Sequence, residues 1–204
     1  MLRVSQHKVE TASFRASPHC DERPPGSDIE LVVVHGISLP AGQFDLPYID
    51  QLFLGTLDCT EKPDFAILDG LKVSAHCLIR RDGELIQYVP FDKRAWHAGV
   101  SSWHGRERCN DFSIGIELEG TDDIPYTEAQ YRVLGQLIDA LRTAYPQIAG
   151  HAVTGHEHIA PGRKTDPGPG FDWQALAAQC QAQPEPCAAA LQASFKTNNN
   201  KDNS

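Results

Sequence analysis

The sequence has no apolar run approaching the roughly 18 residues of a membrane span. Its opening, MLRVSQHKVETASFRASPHC, lacks the roughly 7–15-residue apolar core of a secretory signal. A soluble cytoplasmic protein with no membrane partner is the expectation. Basic residues are scarce, 18 against 27 acidic, for a net charge of −9. Such a chain repels polyphosphates, which excludes nucleic acid as a partner. No C-x-x-C pair occurs among Cys20, Cys59, Cys77, Cys109, Cys180 and Cys187, and 204 residues do not need disulfides for stability. Free thiols are expected. There is no H-E-x-x-H motif and no internal repeat.

What is present describes one folded domain. Hydrophobic residues make up 41% of the chain and glycines number 16, ordinary values for a globular protein. The length suits one domain with a tail better than two domains. The composition places the domain at 1–183 and predicts a disordered tail over 184–204, where PEPCAAALQASFKTNNNKDNS ends polar and biased.

The run at 29–35, IELVVVH, is β-branched and bounded by Pro24, Pro25, Gly26 and Gly36, as for a strand buried on both faces that ends on a histidine. Segments 73–80 and 84–89 flank Arg81-Asp82-Gly83, and Asp-Gly between such runs signals a hairpin. In 112–119, FSIGIELE, the even positions are apolar and the odd ones polar or glycine, a period of two that predicts a half-buried strand. Glu117 then points away from the apolar face, with Gly115 leaving space on its own side. Segment 127–145 opens with a Thr-x-x-Gln capping box, carries Leu134, Leu137, Ile138, Leu141 and Tyr145 on one stripe and stops at Pro146, an amphipathic helix. A shorter helix is expected over 172–180 with Asp172 as N-cap. The Pro/Gly-punctuated stretch 36–71, with a helix-like piece at 48–54, reads as a long surface connection and a wall of a site.

Chemistry concentrates in HEHIAPGRKTDPG, 156–168, which packs two histidines, a lysine and an aspartate into one loop. Two histidines and a carboxylate from separate segments give zinc three protein ligands and leave a fourth position for water. His35, His156 and Asp166 are the candidates, although 9 histidines and 27 acids permit other triples, including one through His158. The residues alone also allow His35 merely to cap a core strand, with the loop held by its own turns. His76, in mid-strand, reads as a satisfied structural histidine. His7, His19, His104 and His151 read as surface residues. Arg80-Arg81, Lys93-Arg94, Arg106, Arg108 and Arg163-Lys164 lie beside these segments and suggest a locally positive cleft for a carboxylate-bearing ligand.

The segments LVVVHGISLP, VSAHCLIRRDGELIQYVPFDKRAWHAGVS, GRERCNDFSIGIELEGTD and GHEHIAPGRKTDPGPGFDW resemble the AmpD-type zinc amidases, cytoplasmic enzymes that cut anhydro-N-acetylmuramyl-L-alanine and share a fold with phage T7 lysozyme and the peptidoglycan recognition proteins. The resemblance runs from about Ser17 to Trp173. It implies an α/β (α+β) fold, a central mixed β-sheet flanked by helices. It implies one Zn2+ per chain on His35, His156 and Asp166, with Glu117 as catalytic proton carrier and Lys164 as the cation facing the oxyanion. Arg108, His97 and Lys72 would be substrate contacts. The implied partner is a small recycled muropeptide met by a monomer. Three positions depart from the family pattern: Gly36 stands where Asn is usual, Lys72 where Arg is expected, and Gly162 where Glu is usual. Two other functions fit the same fold, a wall-cleaving amidase of the envelope and a non-catalytic peptidoglycan-binding module.

Overall fold

The protein is described by a computed structural model, which covers residues 1–180. The tail expected over 184–204 lies outside the described residues. The core element is a mixed six-stranded sheet built from β1 (Ser13–Phe14), β2 (Leu31–Ile37), β3 (Cys77–Ile79), β4 (Leu85–Gln87), β5 (Ser113–Glu119) and β6 (Val153–Gly155), in the spatial order β6-β2-β5-β3-β4-β1. The four strands β6, β2, β5 and β3 run parallel, and β3 and β4 form the antiparallel hairpin that Asp82-Gly83 predicts. Gly83 closes that turn at φ +92°, a conformation L side chains rarely adopt.

Helices cover both faces. The long helix α2 (Glu128–Ala144) buries Leu134, Leu137, Ile138 and Leu141 in one cluster with Val32, Cys77, Ile79, Ile114, Ile116 and Leu118. Helix α1 (Tyr48–Leu54) packs Ile49, Leu52 and Phe53 with Leu78, Ile86 and Tyr88 in a second cluster. Alternation along β3 sorts the two: Cys77 and Ile79 face α2, and Leu78 faces α1. Truncating a fully buried leucine such as Leu137 to alanine belongs to the class costing about 2–5 kcal/mol.

The end of α2 is held as its sequence predicts. Thr127 Oγ1 accepts from the Gln130 amide, and Gln130 Oε1 accepts from the Thr127 amide. The Gln130 side chain then donates to the carbonyls of Ile79 and Glu119, tying the helix start to the ends of β3 and β5. Gly135, in mid-helix, lies where α4 (Trp173–Gln179) crosses, and a Cβ there would come within 2.7 Å of Gln179. Asp172 caps α4 as predicted, accepting from the amides of Gln174 and Ala175.

Two expectations are corrected. Strand β5 is buried along its whole length, because the face carrying Ser113, Gly115, Glu117 and Glu119 is covered by other polar side chains instead of water. His19 is buried as well: its Nδ1 meets the Val73 carbonyl at 3.1 Å and its ring stacks on Trp96. His76 has the structural role expected of it, accepting at Nδ1 from the Gly115 amide and donating from Nε2 to the Lys93 carbonyl.

Replacing Thr127 by alanine removes the cap and the bond from Thr127 Oγ1 to the Arg81 carbonyl while touching no site residue. Unfolding in urea should show a loss of about 1 kcal/mol. Turnover should be unchanged.

Candidate active site

The parallel register lines up the ends of three neighbouring strands. Glu117 on β5 pairs with His35 on β2, and Gly155, the last residue of β6, pairs with Val34. His156 follows as the first residue of the short helix α3 (His156–Ile159), one step beyond that rung. Residues paired across parallel strands project to the same side, so Glu117 and His35 stand next to each other on the α1 face, on the rung shared with Leu78. The carboxyl ends of parallel strands are where such sheets place their ligands.

Asp166 comes from the loop after α3, whose backbone is fixed by the Glu157 amide donating to the Asp166 carbonyl. Its Oδ2 lies 3.2 Å from His35 Nδ1 and 3.1 Å from His156 Nδ1, and the two Nδ1 atoms are 3.0 Å apart. The three atoms form a nearly equilateral triangle. Its edge is close to the roughly 3.3 Å between neighbouring ligands of a tetrahedral site with bonds of about 2.0–2.1 Å. The outer nitrogen of His156 meets the Ala98 carbonyl at 3.1 Å. A carbonyl only accepts, so that nitrogen carries a proton, and the neutral ring then presents a lone pair at Nδ1 to the triangle. Three acceptors converging in a buried place call for a cation, and the donor set of two imidazoles and a carboxylate is the kind that holds a divalent transition metal.

Charge is distributed accordingly. Burial pushes His35 down to about 4, so this ring is neutral and able to ligate at physiological pH. Glu117 moves the other way: burial, helped by Asp166 and opposed by Lys164, raises its carboxyl well above the ordinary range. Its Oε2 is buried with no hydrogen-bond partner among the described residues.

A family model described as N-acetylmuramoyl-L-alanine amidase matches residues 25–169, a stretch that contains His35, Glu117, His156 and Asp166. The chain belongs to this amidase family. It is 66% identical over 157 residues to the 1,6-anhydro-N-acetylmuramyl-L-alanine amidase AmpD of Citrobacter freundii, covering 77% of this chain and 83% of that one. A crystal structure of a selenomethionine AmpD derivative superposes with a TM-score of 0.85 at 59% identity, over 88% of this chain and 99% of that one. The Escherichia coli amidase AmiD, solved with anhydro-N-acetylmuramic acid-L-Ala-D-gamma-Glu-L-Lys as its substrate, aligns with a TM-score of 0.55 at 29% identity, over 87% of this chain and 65% of that one.

The other predicted residues are distributed around the amidase triangle unevenly. Lys164 is exposed, and its charge bears on both Glu117 and His35. Arg108 is exposed, held in the left-handed region at φ +62°, with Nε 3.1 Å from Asp111 Oδ2. It lines a cleft of about 490 Å3 together with Val100, Pro161 and Arg163. Lys72 is exposed and makes no hydrogen bond or ion pair among the described residues. His97 packs against His35, with both ring nitrogens engaged by His35 and Ser113, so it presents no free polar atom to a substrate. Burial and the neighbouring histidines hold its ring neutral. His158 turns away from the triangle, its Nδ1 accepting from the Gly155 amide.

The expected positive cleft shrinks. Arg80 pairs with Asp50 and Glu119, Lys93 with Glu22, Arg94 with Asp21 and Asp111, and Arg106 with Glu30. Arg163, counted by sequence only among the basic residues, acts as a clamp instead, donating to the carbonyls of Ala98 and Val100. Asn110 and Ser113 went unnoticed in sequence. The period of two along 112–119 places Ser113 on the face of Glu117 and could have pointed to it; nothing singles out Asn110.

Asn110 Oδ1 accepts from the amides of both His97 and Ala98. Asn110→Ala should cost about 1–3 kcal/mol by stranding these two donors. Hydrogen exchange should speed up at amides 97 and 98 before it does elsewhere in the sheet.

Proposed function

We propose that this amidase uses one zinc ion on His35, His156 and Asp166 to hydrolyse the amide joining the lactyl group of anhydro-N-acetylmuramic acid to L-alanine in recycled muropeptides. The observation that carries the reading is the triangle of His35, His156 and Asp166 beside a buried carboxyl, one oxygen of which has no partner among the described residues. The names of the relatives support the bond and the sugar. Cys20, Cys59, Cys77 and Cys109 are free thiols, which suits a reducing compartment and favours the cytoplasm.

The chemistry a zinc ion would supply here is Lewis acidity, toward the scissile carbonyl oxygen and toward water. Glu117 receives the proton of the attacking water at Oε2 and passes it to the departing alanine amine. Burial beside Asp166 raises this carboxyl above its ordinary range, so it holds a proton more readily than an exposed glutamate and can carry one to the amine. Such a general acid–base contributes typically about 10²–10⁴-fold. The exposed Lys164 ammonium, whose charge bears on Glu117, supplies positive charge toward the oxygen on which negative charge develops. Arg108, at the cleft with Arg163, pairs with a carboxylate of the stem peptide. The same reading makes residues 1–183 one catalytic domain.

Elemental analysis should find close to one zinc per chain, and His156→Ala or Asp166→Ala should lower occupancy by roughly tenfold or more. Full occupancy in either variant would rule out the ligand assignment. Glu117→Gln should keep zinc and fold while turnover drops by about 10²–10⁴-fold. Unimpaired turnover would remove Glu117 from the proton path. The substrate is tested by mass spectrometry of zinc-loaded protein acting on soluble anhydro-muropeptides and, at equal bond concentration, on purified sacculi. Faster release from the fragments supports recycling, equal or faster release from sacculi supports an envelope amidase, and binding without cleavage of either supports a recognition module.

A further inference from the structure

The outer nitrogens of both ligand histidines are held by one short piece of chain, residues 97–98. His35 Nε2 lies 2.9 Å from His97 Nδ1, and His156 Nε2 lies 3.1 Å from the Ala98 carbonyl. The direction of the first contact follows from counting protons outward. The Ser113 hydroxyl has a single hydrogen, and the Cys109 carbonyl at 2.6 Å can only accept it. Ser113 Oγ is therefore the acceptor for His97 Nε2 at 3.2 Å. A neutral His97 protonated at Nε2 is bare at Nδ1, so the proton between the two rings belongs to His35 Nε2. His35 is left with a bare Nδ1, the atom that faces His156 and Asp166.

We propose that His97 is a positioning residue of the metal centre: with Ser113 it locks His35 into the tautomer that can ligate through Nδ1, while the neighbouring Ala98 carbonyl locks His156 in the same sense. The proposal rests on the zinc reading above and adds to it a group that touches neither metal nor substrate. Three further features serve this arrangement. Asn110 holds the amides of residues 97 and 98, and Arg163 holds the Ala98 carbonyl from outside. Gly115 provides the space: a Cβ there would lie 2.4 Å from the His97 ring. Orienting partners of this kind are typically worth about 10–100-fold in metal affinity.

Zinc affinity of the full chain is measured by competition with a fluorescent chelator, with thermal unfolding of each metal-free form followed in parallel. His97→Ala should bind zinc about 10- to 100-fold more weakly. His97→Asn, whose side-chain oxygen can stand in for Nδ1 and accept from His35, should recover most of that loss. An alanine variant that folds and binds within about twofold of the native chain would overturn the proposal. So would a loss that asparagine leaves uncorrected, because packing and not the acceptor would then be at work. Should the alanine variant fail to fold, ¹⁵N spectra of the imidazoles in the zinc-loaded native chain decide. They should show His97 protonated at Nε2 and bare at Nδ1, and a proton on Nδ1 would overturn the proposal because that nitrogen could not accept from His35. Failure of the zinc reading is a separate result, with the native chain itself taking up no zinc, and it would end this proposal as well.

Discussion

The parallel pairing of β6, β2 and β5 is the constraint from which the rest of the site follows. It sets His35 opposite Glu117 and brings His156 one residue past the adjacent rung. Strand side chains alternate with a period of two, so a slip of one residue in either pairing would turn Glu117 or His35 to the α2 face and dissolve the arrangement. The register is held by the core on both faces: Ile114, Ile116 and Leu118 have no place on the α1 side, and Leu78 has none on the other. The hydrophobic burial that makes the sheet stable also fixes the spacing of His35 and Glu117.

Against that rigid row, the remaining contributors arrive on loops, each tied down by its own hydrogen bonds. Asp166 is delivered by a turn whose backbone is bonded to Glu157, and residues 97–98 by a turn pinned between Asn110 and Arg163. Without a cation, three acceptors facing one another are an unfavourable arrangement, as is a buried carboxyl oxygen with no partner among the described residues. Sites of this kind trade stability for function, and the fold offsets the cost through its apolar core and through charge pairs placed elsewhere. Arg80, Lys93, Arg94 and Arg106 are engaged in those pairs, while the charge of Lys164 bears on Glu117 and His35 and Arg163 holds the Ala98 carbonyl beside His156.

Much of this was readable from periodicity and punctuation. The capping box at Thr127, the Asp82-Gly83 turn, the alternation along 112–119 and the Asp172 cap are local signals, set within a few residues by backbone sterics and side-chain hydrogen bonds, and each stands where expected. His35, Glu117, His156 and Asp166 were legible as candidates because long motifs carry them. Burial of the polar face of β5 was not legible, since alternation says which side chains share a face and nothing about what covers it. The same holds for His19 and for the pairing of the basic residues, because partners such as Arg94 and Asp21, or Arg106 and Glu30, are more than 70 positions apart.

The sequence by itself therefore determined the longer elements, though not β1, β6 or α3, together with the amidase family and the residue types available for the chemistry. Tertiary structure decided which of them meet. Triangle closure depends on strand register and on a loop returning from residue 166, and the tautomers of two histidines depend on a turn 60 residues away. Hydrogen-bond direction is a property of three-dimensional neighbours. His97, which the family resemblance implies as a substrate contact, stands with its two ring nitrogens against His35 and Ser113, neighbours that no local sequence signal announces.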